Sequence, residues 1–444
     1  VKRFILTGIA AALSAIPLAA QPLTLRSAVD EALSRNPQAT ASSARRDAAA
    51  AQLAEARAGW LPRLDATASS TRSNDPVFVF AALLQQGRFG AAHFDPAFLN
   101  APPVTRSDRA TFNARLAVFD QLRRLGSIAV ARNGVHAAAA GEEETRQRLR
   151  GETIARYYGV AVATARRDVA ADAVRTGEGQ VRAIRDRHEQ GLVVESDLLA
   201  AEVQLAAFRQ ELITAEGELA IARAALAVLL QRPIVEQIGI VEAVPERRFE
   251  PAAVDALVAR ATERRGAAQA AALASRSAAL AVRTARGALL PRLDAFASWS
   301  STGPTFRTRD SDRAYGLVAS IDLFDGGKYA RITAAKAAAA EAEAAAMAAS
   351  DGVAMEVVTA HARLQSAAER VNVASSAAEQ AAAAARIVRD RYENGLTTIT
   401  EQLRADHALL AARLAFLDAR YDYITGYADL LRATGDLTDV DPFV

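Results

Sequence analysis

Along this chain the spacing of apolar residues switches between a helical period and a period of two, in the same order in each half. From Ser27 to Gly59 and from Pro251 to Gly287, Ala, Leu and Val recur at helical spacing with Arg and Glu between them. Each stretch predicts a helix that stops at a glycine and a proline, because Pro62 and Pro291 have no N–H to give the preceding turn. Beyond the prolines the period becomes two. Leu64, Ala66 and Ala68 alternate with Arg63, Asp65 and Thr67, and Phe112, Ala114, Leu116 and Val118 alternate with Thr111, Asn113, Arg115 and Ala117. In the second half Leu293, Ala295, Ala297 and Trp299 form one row and Tyr315, Leu317, Ala319, Ile321 and Leu323 another. These are four strands with one apolar and one polar face, of about the 9 to 11 residues that cross a membrane when tilted. Trp299 and Tyr315 suit a membrane interface.

From about Gly126 to His188, and again from Gly326 to Tyr392, there is no proline and a sustained Ala, Leu and Val periodicity. At 1.5 Å per residue each is a rod of roughly 90 to 100 Å. Each rod ends at a Gly-Leu pair, Gly191-Leu192 or Gly395-Leu396, and the chain returns through Asp197 to Leu230 or Glu401 to Ala433. Two helical hairpins are expected, with glycine at each reversal because it accepts a positive φ without a Cβ clash.

The two halves also share words. Leu61-Pro62-Arg63-Leu64-Asp65-Ala66 returns as Leu290-Pro291-Arg292-Leu293-Asp294-Ala295, 229 positions later. Val118-Phe119-Asp120 is echoed by Leu323-Phe324-Asp325 at an offset of 205, and Arg185-Asp186-Arg187-His188 by Arg389-Asp390-Arg391-Tyr392 at 204. The fall in offset gives the first half 24 extra residues between strands, in a segment, 74–107, rich in Phe, Pro and Gly. The expected organisation is a signal peptide over 1–20, a first repeat over 21–230 with a long outer loop at 74–107, a linker over 231–250, and a second repeat over 251–444. The leader is read from Lys2 and Arg3, the apolar run from Phe4 to Leu13, and the small residues Ala19 and Ala20.

Composition narrows the function. Ala makes up about a quarter of the chain, well above ordinary usage, which favours helices in contact through small side chains. Lys plus Arg number 53 against 51 Asp plus Glu, so there is no field that predicts nucleic-acid binding. With no cysteine, thiol catalysis and thiolate metal sites are excluded. His93, His136, His188, His361 and His407 are scattered without a metal-type pair, and no nucleophile elbow or phosphate loop is present, so neither enzyme nor cofactor is expected. Four strands cannot seal themselves in lipid, so copies must join. Two, three or four copies give eight, twelve or sixteen strands, and twelve is the smallest count that leaves an open lumen plausible. A stalk with no lumen is the competing reading, although it does not require a lipid-facing alternation.

The duplicated Leu-Pro-Arg-Leu elements, the Phe-Asp corners at Phe119 and Phe324 and the paired Gly-Leu tips, in this order, resemble the TolC family of outer-membrane efflux proteins. The resemblance implies a mixed α and β membrane protein: a homotrimer whose four strands per chain form a barrel of twelve in the outer membrane of a Gram-negative bacterium, continued by a periplasmic helical barrel. It implies an exit duct without catalysis of its own, partnered by outer-membrane lipid, a periplasmic adaptor protein and an inner-membrane pump of RND or ABC type.

Family likeness also nominates residues. Gly191, Leu192, Gly395 and Leu396 match the hairpin tips that meet the adaptor, and an exposed apolar Leu at a turn itself calls for a partner; the plainer reading is a glycine cap with leucine packed locally. Asp197 and Glu401 match the acidic place of the family's pore constriction, where a carboxylate ring attracts cations, but are also ordinary first-turn acids. Arg404, one turn on, stands where some members carry a second acid. Tyr392, matched by His188 in the first half, is expected to help hold the aperture closed. Arg182, Arg185, Arg187, Arg386, Arg389 and Arg391 read as a solvated face near the tips.

Overall fold

The computed structural model describes residues 23–307 and 310–444. The expected leader, 1–20, lies outside the described residues. The chain divides into two units: a helical one formed by 23–42, Glu142–Arg265 and Gly352–Val444, and one containing the sheet, Ser43–Gly141 with Gly266–Asp351.

The first half runs α1 (Leu25–Arg35), α2 (Pro37–Ala58), β1 (Arg63–Ser73), α3 (Pro76–Gln85), α4 (Pro96–Asn100), β2 (Thr105–Phe119), α5 (Arg123–Glu189) and α6 (Glu195–Leu229). The second runs α7 (Val254–Arg264), α8 (Gly266–Gly287), β3 (Arg292–Gly303), β4 (Asp310–Ser320), α9 (Gly326–Glu393) and α10 (Ile399–Thr434). Leaving α3 and α4 aside, one order of elements occurs twice.

Two expectations need correction. The helices expected over Ser27 to Gly59 and Pro251 to Gly287 are each broken, at Asn36 and Arg265, whose backbones are extended with φ/ψ of −66/131° and −65/129°. Pro37 disfavours a helical Asn36, and the Asn36 amide settles the break by donating to the Leu229 carbonyl at 3.1 Å and accepting from the Gln38 N–H at 2.9 Å. At Arg265 no proline is present; the buried side chain takes that role, as described below. The segment 74–107, expected as a loop, contains α3 and α4. Asp75 accepts from the Phe78 N–H at 2.8 Å and Asp95 from the Ala97 N–H at 2.9 Å, with Pro76 and Pro96 at the first helical position. An Asp-Pro pair is a helix start as well as a turn signal.

In the sheet unit the four strands form an antiparallel sheet in the order β1-β2-β3-β4. The register aligns Ala66 with Phe112, Phe112 with Trp299, and Ala114 with Ala297 and then Tyr315, so one face carries an apolar row across all four strands. Asp65, Asn113 and Ser298 follow one another on the other face, where the Asn113 amide donates to Asp65 at 2.8 Å. β1 and β4 each have one edge that pairs with no strand among the described residues. The Phe-Asp corners now have a cause. Asp120 accepts from the Arg124 N–H at 3.0 Å and Asp325 from the Gly327 N–H at 2.8 Å, so each caps the start of a long helix. At the first corner Gln121 and Leu122 take positive φ, and the Gln121 carbonyl lies so near Gly287 that a Cβ there would come within 2.2 Å of it. Only glycine fits at that approach.

In the helical unit one core gathers Leu25, Val29, Ile154, Tyr157, Leu226, Ile424 and Phe443. Burial pushes the Tyr157 and Tyr158 phenols well above their ordinary pKa, so they stay protonated. The Tyr157 hydroxyl lies 2.8 Å from the Leu23 carbonyl and accepts from the Val241 and Glu242 N–H groups at 3.2 Å. Leu23 makes a parallel bridge with Ile240, so segment 231–250 is tied to the N-terminal end of the unit.

Arg265, only 4% exposed, joins three elements of this unit through four hydrogen bonds. It grips Glu144 of α5 through two bonds of 2.8 and 3.1 Å, Glu356 of α9 at 2.9 Å and the Ala433 carbonyl of α10 at 3.0 Å. Arg432 holds the other oxygen of Glu356 at 2.8 Å. Replacing Arg265 with Ala leaves Glu144 without an ion partner among the described residues and Glu356 with Arg432 alone, and should cost about 3 kcal/mol, the low end for breaking a buried pair, since both acids keep partial exposure. A lower thermal midpoint of the helical circular-dichroism signal checks this. Burial works to raise the Glu356 pKa, but Arg265 and Arg432 outweigh it and hold it below the ordinary 4.5. Its stabilising contribution is therefore complete above pH 4.5 and is lost as pH falls through the lower folded value. Glu356→Gln should flatten that acid limb in a pH series of melting curves.

Candidate functional site

Each hairpin end is a helix C-terminus closed by the same hydrogen-bond pattern. The Gly191 N–H donates to the His188 carbonyl at 2.8 Å and the Leu192 N–H to Arg187 at 2.9 Å; Gly395 and Leu396 repeat this with Tyr392 and Arg391 at 3.0 and 2.8 Å. This is the Schellman arrangement, which needs a left-handed residue at the glycine. The two φ angles are 71° and 72°. Such a cap commonly buries the residue after the glycine against the helix. Here Leu192 and Leu396 stay 69% and 67% exposed. The glycine cap is present and the local leucine packing is not.

The returning helices begin without a side-chain cap, since neither Val194 nor Thr398 accepts a hydrogen bond at the start of α6 or α10. Glu195 and Asp197 in α6 and Glu401 in α10 supply negative charge to the first turn instead. The Asp197 carboxylate is half-buried and has no hydrogen-bond or ion partner among the described residues. Glu401 is exposed and paired with Arg404 at 2.7 Å, so the arginine is engaged within its own helix turn.

His188 and Tyr392 occupy matching places but make different contacts. His188 reaches over the reversal, its Nδ1 lying 3.2 Å from the Val193 carbonyl. Tyr392 packs against the cluster formed by Val181, Ile184, Leu205, Ile399 and Leu403, with the Arg187 guanidinium 5.6 Å from its ring centre. Helices of both hairpins therefore meet there. The Tyr392 hydroxyl and the Gln402 amide oxygen are buried with no hydrogen-bond partner among the described residues.

One residue of this end escaped the sequence reading. Asp406 is 6% exposed, accepts from the Gln180 amide of α5, and pairs with Arg389 of α9 at 3.3 Å. Its signal was available: Ile399, Leu403, Asp406 and Leu410 follow one buried stripe of α10, so the aspartate interrupts an apolar row. The arginine group is correspondingly less solvated than expected. Arg185 binds Glu202 at 2.7 Å, Arg187 lies by Tyr392 and Arg389 is held by Asp406, while Arg182, Arg386 and Arg391 remain exposed. Among the described residues no group of His, Asp and Glu is arranged to hold a metal ion, and no helix is long and apolar enough to cross a membrane.

Comparison with known proteins agrees with this architecture. In structure the chain is similar to the CmeC outer membrane channel of Campylobacter jejuni, with 18% identity and a TM-score of 0.80 over 93% of this chain and 85% of that one. The outer membrane protein VceC of Vibrio cholerae gives 22% identity and a TM-score of 0.76, over 93% and 96%. The open state of the MtrE outer membrane channel of Neisseria gonorrhoeae gives 20% and 0.76, over 93% and 89%. At these identities the likeness establishes the fold. A search of curated proteins finds no match. The model of the outer membrane efflux protein family matches residues 28–231 and 257–436, two blocks that each carry one copy of the element order above. With most of its length matched, the chain belongs to the outer membrane efflux protein family, the TolC-type channels of the outer membrane.

Proposed function

We propose that three copies of this chain form a channel that serves as the exit duct of a tripartite efflux or type I secretion system. The repeats, 21–230 and 251–444, joined through 231–250, each contribute two strands and one hairpin. One observation carries this reading: a four-stranded sheet with an apolar face, a polar face and two free edges, β1 and β4. In lipid an unpaired edge costs several kcal/mol per backbone group. Joining β4 of one copy to β1 of the next removes every edge, and three copies give twelve strands, enough to leave an aqueous lumen. The protein conducts passively, and energy comes from an inner-membrane pump of RND or ABC type.

Leu192 and Leu396 are the surface that a periplasmic adaptor buries. Identical caps hold both leucines outward, and no local packing covers them. The narrow end of the pore lies beside them. There Asp197 and Glu401 face the opening, His188 braces its own reversal, and the packing of Tyr392 against Arg187 keeps the hairpins together until the adaptor untwists them.

Purified protein in planar bilayers should produce discrete conductance steps; a silent preparation favours a solid stalk instead. Tyr392→Ala, which removes the ring between the hairpins, and Glu401→Gln should each raise single-channel conductance, and unchanged steps count against the gate. Leu192→Asp together with Leu396→Asp should weaken adaptor binding by about tenfold or more, as losing two exposed anchors does, with conductance kept. Surface plasmon resonance against the purified adaptor checks it.

A further inference from the structure

On the polar face of the sheet, Arg63, the first residue of the edge strand β1, lies directly opposite Arg115 of β2. Directly opposed residues hold their Cβ atoms about 4.5 to 5.5 Å apart, where like charges repel. Polarity alone does not call for this pair, since two rows further on the same face is served by Thr67 opposite Thr111. Three other arginines of this unit are neutralised close by: Arg106 by Asp108 at 2.8 Å, Arg124 by Asp120 at 3.1 Å and Arg292 by Asp294 at 2.7 Å. The nearest acid on the β1 row, Asp65, accepts from Asn113. Arg63 and Arg115 have no hydrogen-bond or ion partner among the described residues, and both are exposed.

The two side chains line a hollow of about 780 Å³ together with Asn113, Phe296 and the Arg292–Asp294 pair, whose carboxylate is taken up by its own arginine at 2.7 Å. Phe296 is the register partner of Arg115, and its ring lies against Gly316 of β4, where a Cβ would come within 3.0 Å of it. Two free guanidinium forks beside an aromatic ring and an amide suit a planar anion, because guanidinium binds carboxylate and phosphate oxygens in pairs. We propose that Arg63 and Arg115 form an anion subsite that holds carboxylate- or phosphate-bearing solutes as they pass the polar face of the sheet. The inference rests on the channel reading for the passage of solutes. In that reading the lipid-facing side is the opposite face, that of Leu64, Ala66, Phe112 and Trp299.

Trimesate, a planar aromatic tricarboxylate, serves as the probe, titrated calorimetrically into the detergent-solubilised full-length protein. Saturable binding is expected, weakened about tenfold or more when Arg63→Gln and Arg115→Gln remove both charge-assisted contacts. Absent binding to the unaltered protein, or equal binding to the double variant, overturns the proposal. Arg115→Gln alone provides the comparison if the double variant does not fold. Bilayer recordings on the same samples separate the two ideas. Conductance without trimesate binding sinks the subsite and leaves the channel; arginine-dependent binding without conductance upholds the subsite and sinks the channel.

Discussion

In lipid a backbone amide has no bulk water to bond and needs a partner within protein, and the four strands among the described residues leave the outer edges of β1 and β4 without one. Much else follows from that shortage in the proposed assembly. A shared barrel must meet helices that continue it, and helices that stand side by side without large gaps need small side chains, which the alanine-rich stretches of α5 and α9 supply. Large apolar residues gather where elements of the same chain meet, as around Tyr157 and Phe443.

Periodicity revealed most of the architecture, because strands with one wet face and helices of more than sixty residues leave unambiguous spacing in a sequence. The tips were visible for the same reason: a glycine at the end of a long helix has few other uses. What stayed hidden depended on contacts remote in sequence. The break at Arg265 carries no proline, and its cause is two carboxylates about 90 to 120 residues away. Asp406 was passed over since a charged residue on a helix is usually solvated, although its place in an apolar row was legible. The helices α3 and α4 lie in a segment whose Phe, Pro and Gly content reads as a loop, although Asp75-Pro76 and Asp95-Pro96 carry a helix-start signal.

The duplicated places have not kept duplicated roles. Asp120 and Asp325 still cap the long helices alike, and Gly191 and Gly395 still share a backbone angle. Those tasks are set by helix geometry, which is the same in both halves. His188 and Tyr392 instead reach different partners, one its own turn and the other a neighbouring helix. Side chains that face another element were free to diverge with it.

The ion cluster around Arg265 bears on how the two halves came to depend on each other. Its arginine, Glu356 and the Ala433 carbonyl come from the later half of the chain, whereas Glu144 comes from the earlier one. The later half thus holds both an acid and a base of the cluster, Glu356 with Arg265 and Arg432, whereas Glu144 draws its counter-charge from the other side of segment 231–250. A chain cut within that segment would leave the earlier half with a carboxylate that nothing of its own neutralises, so the two halves are unequal in what each loses by separation.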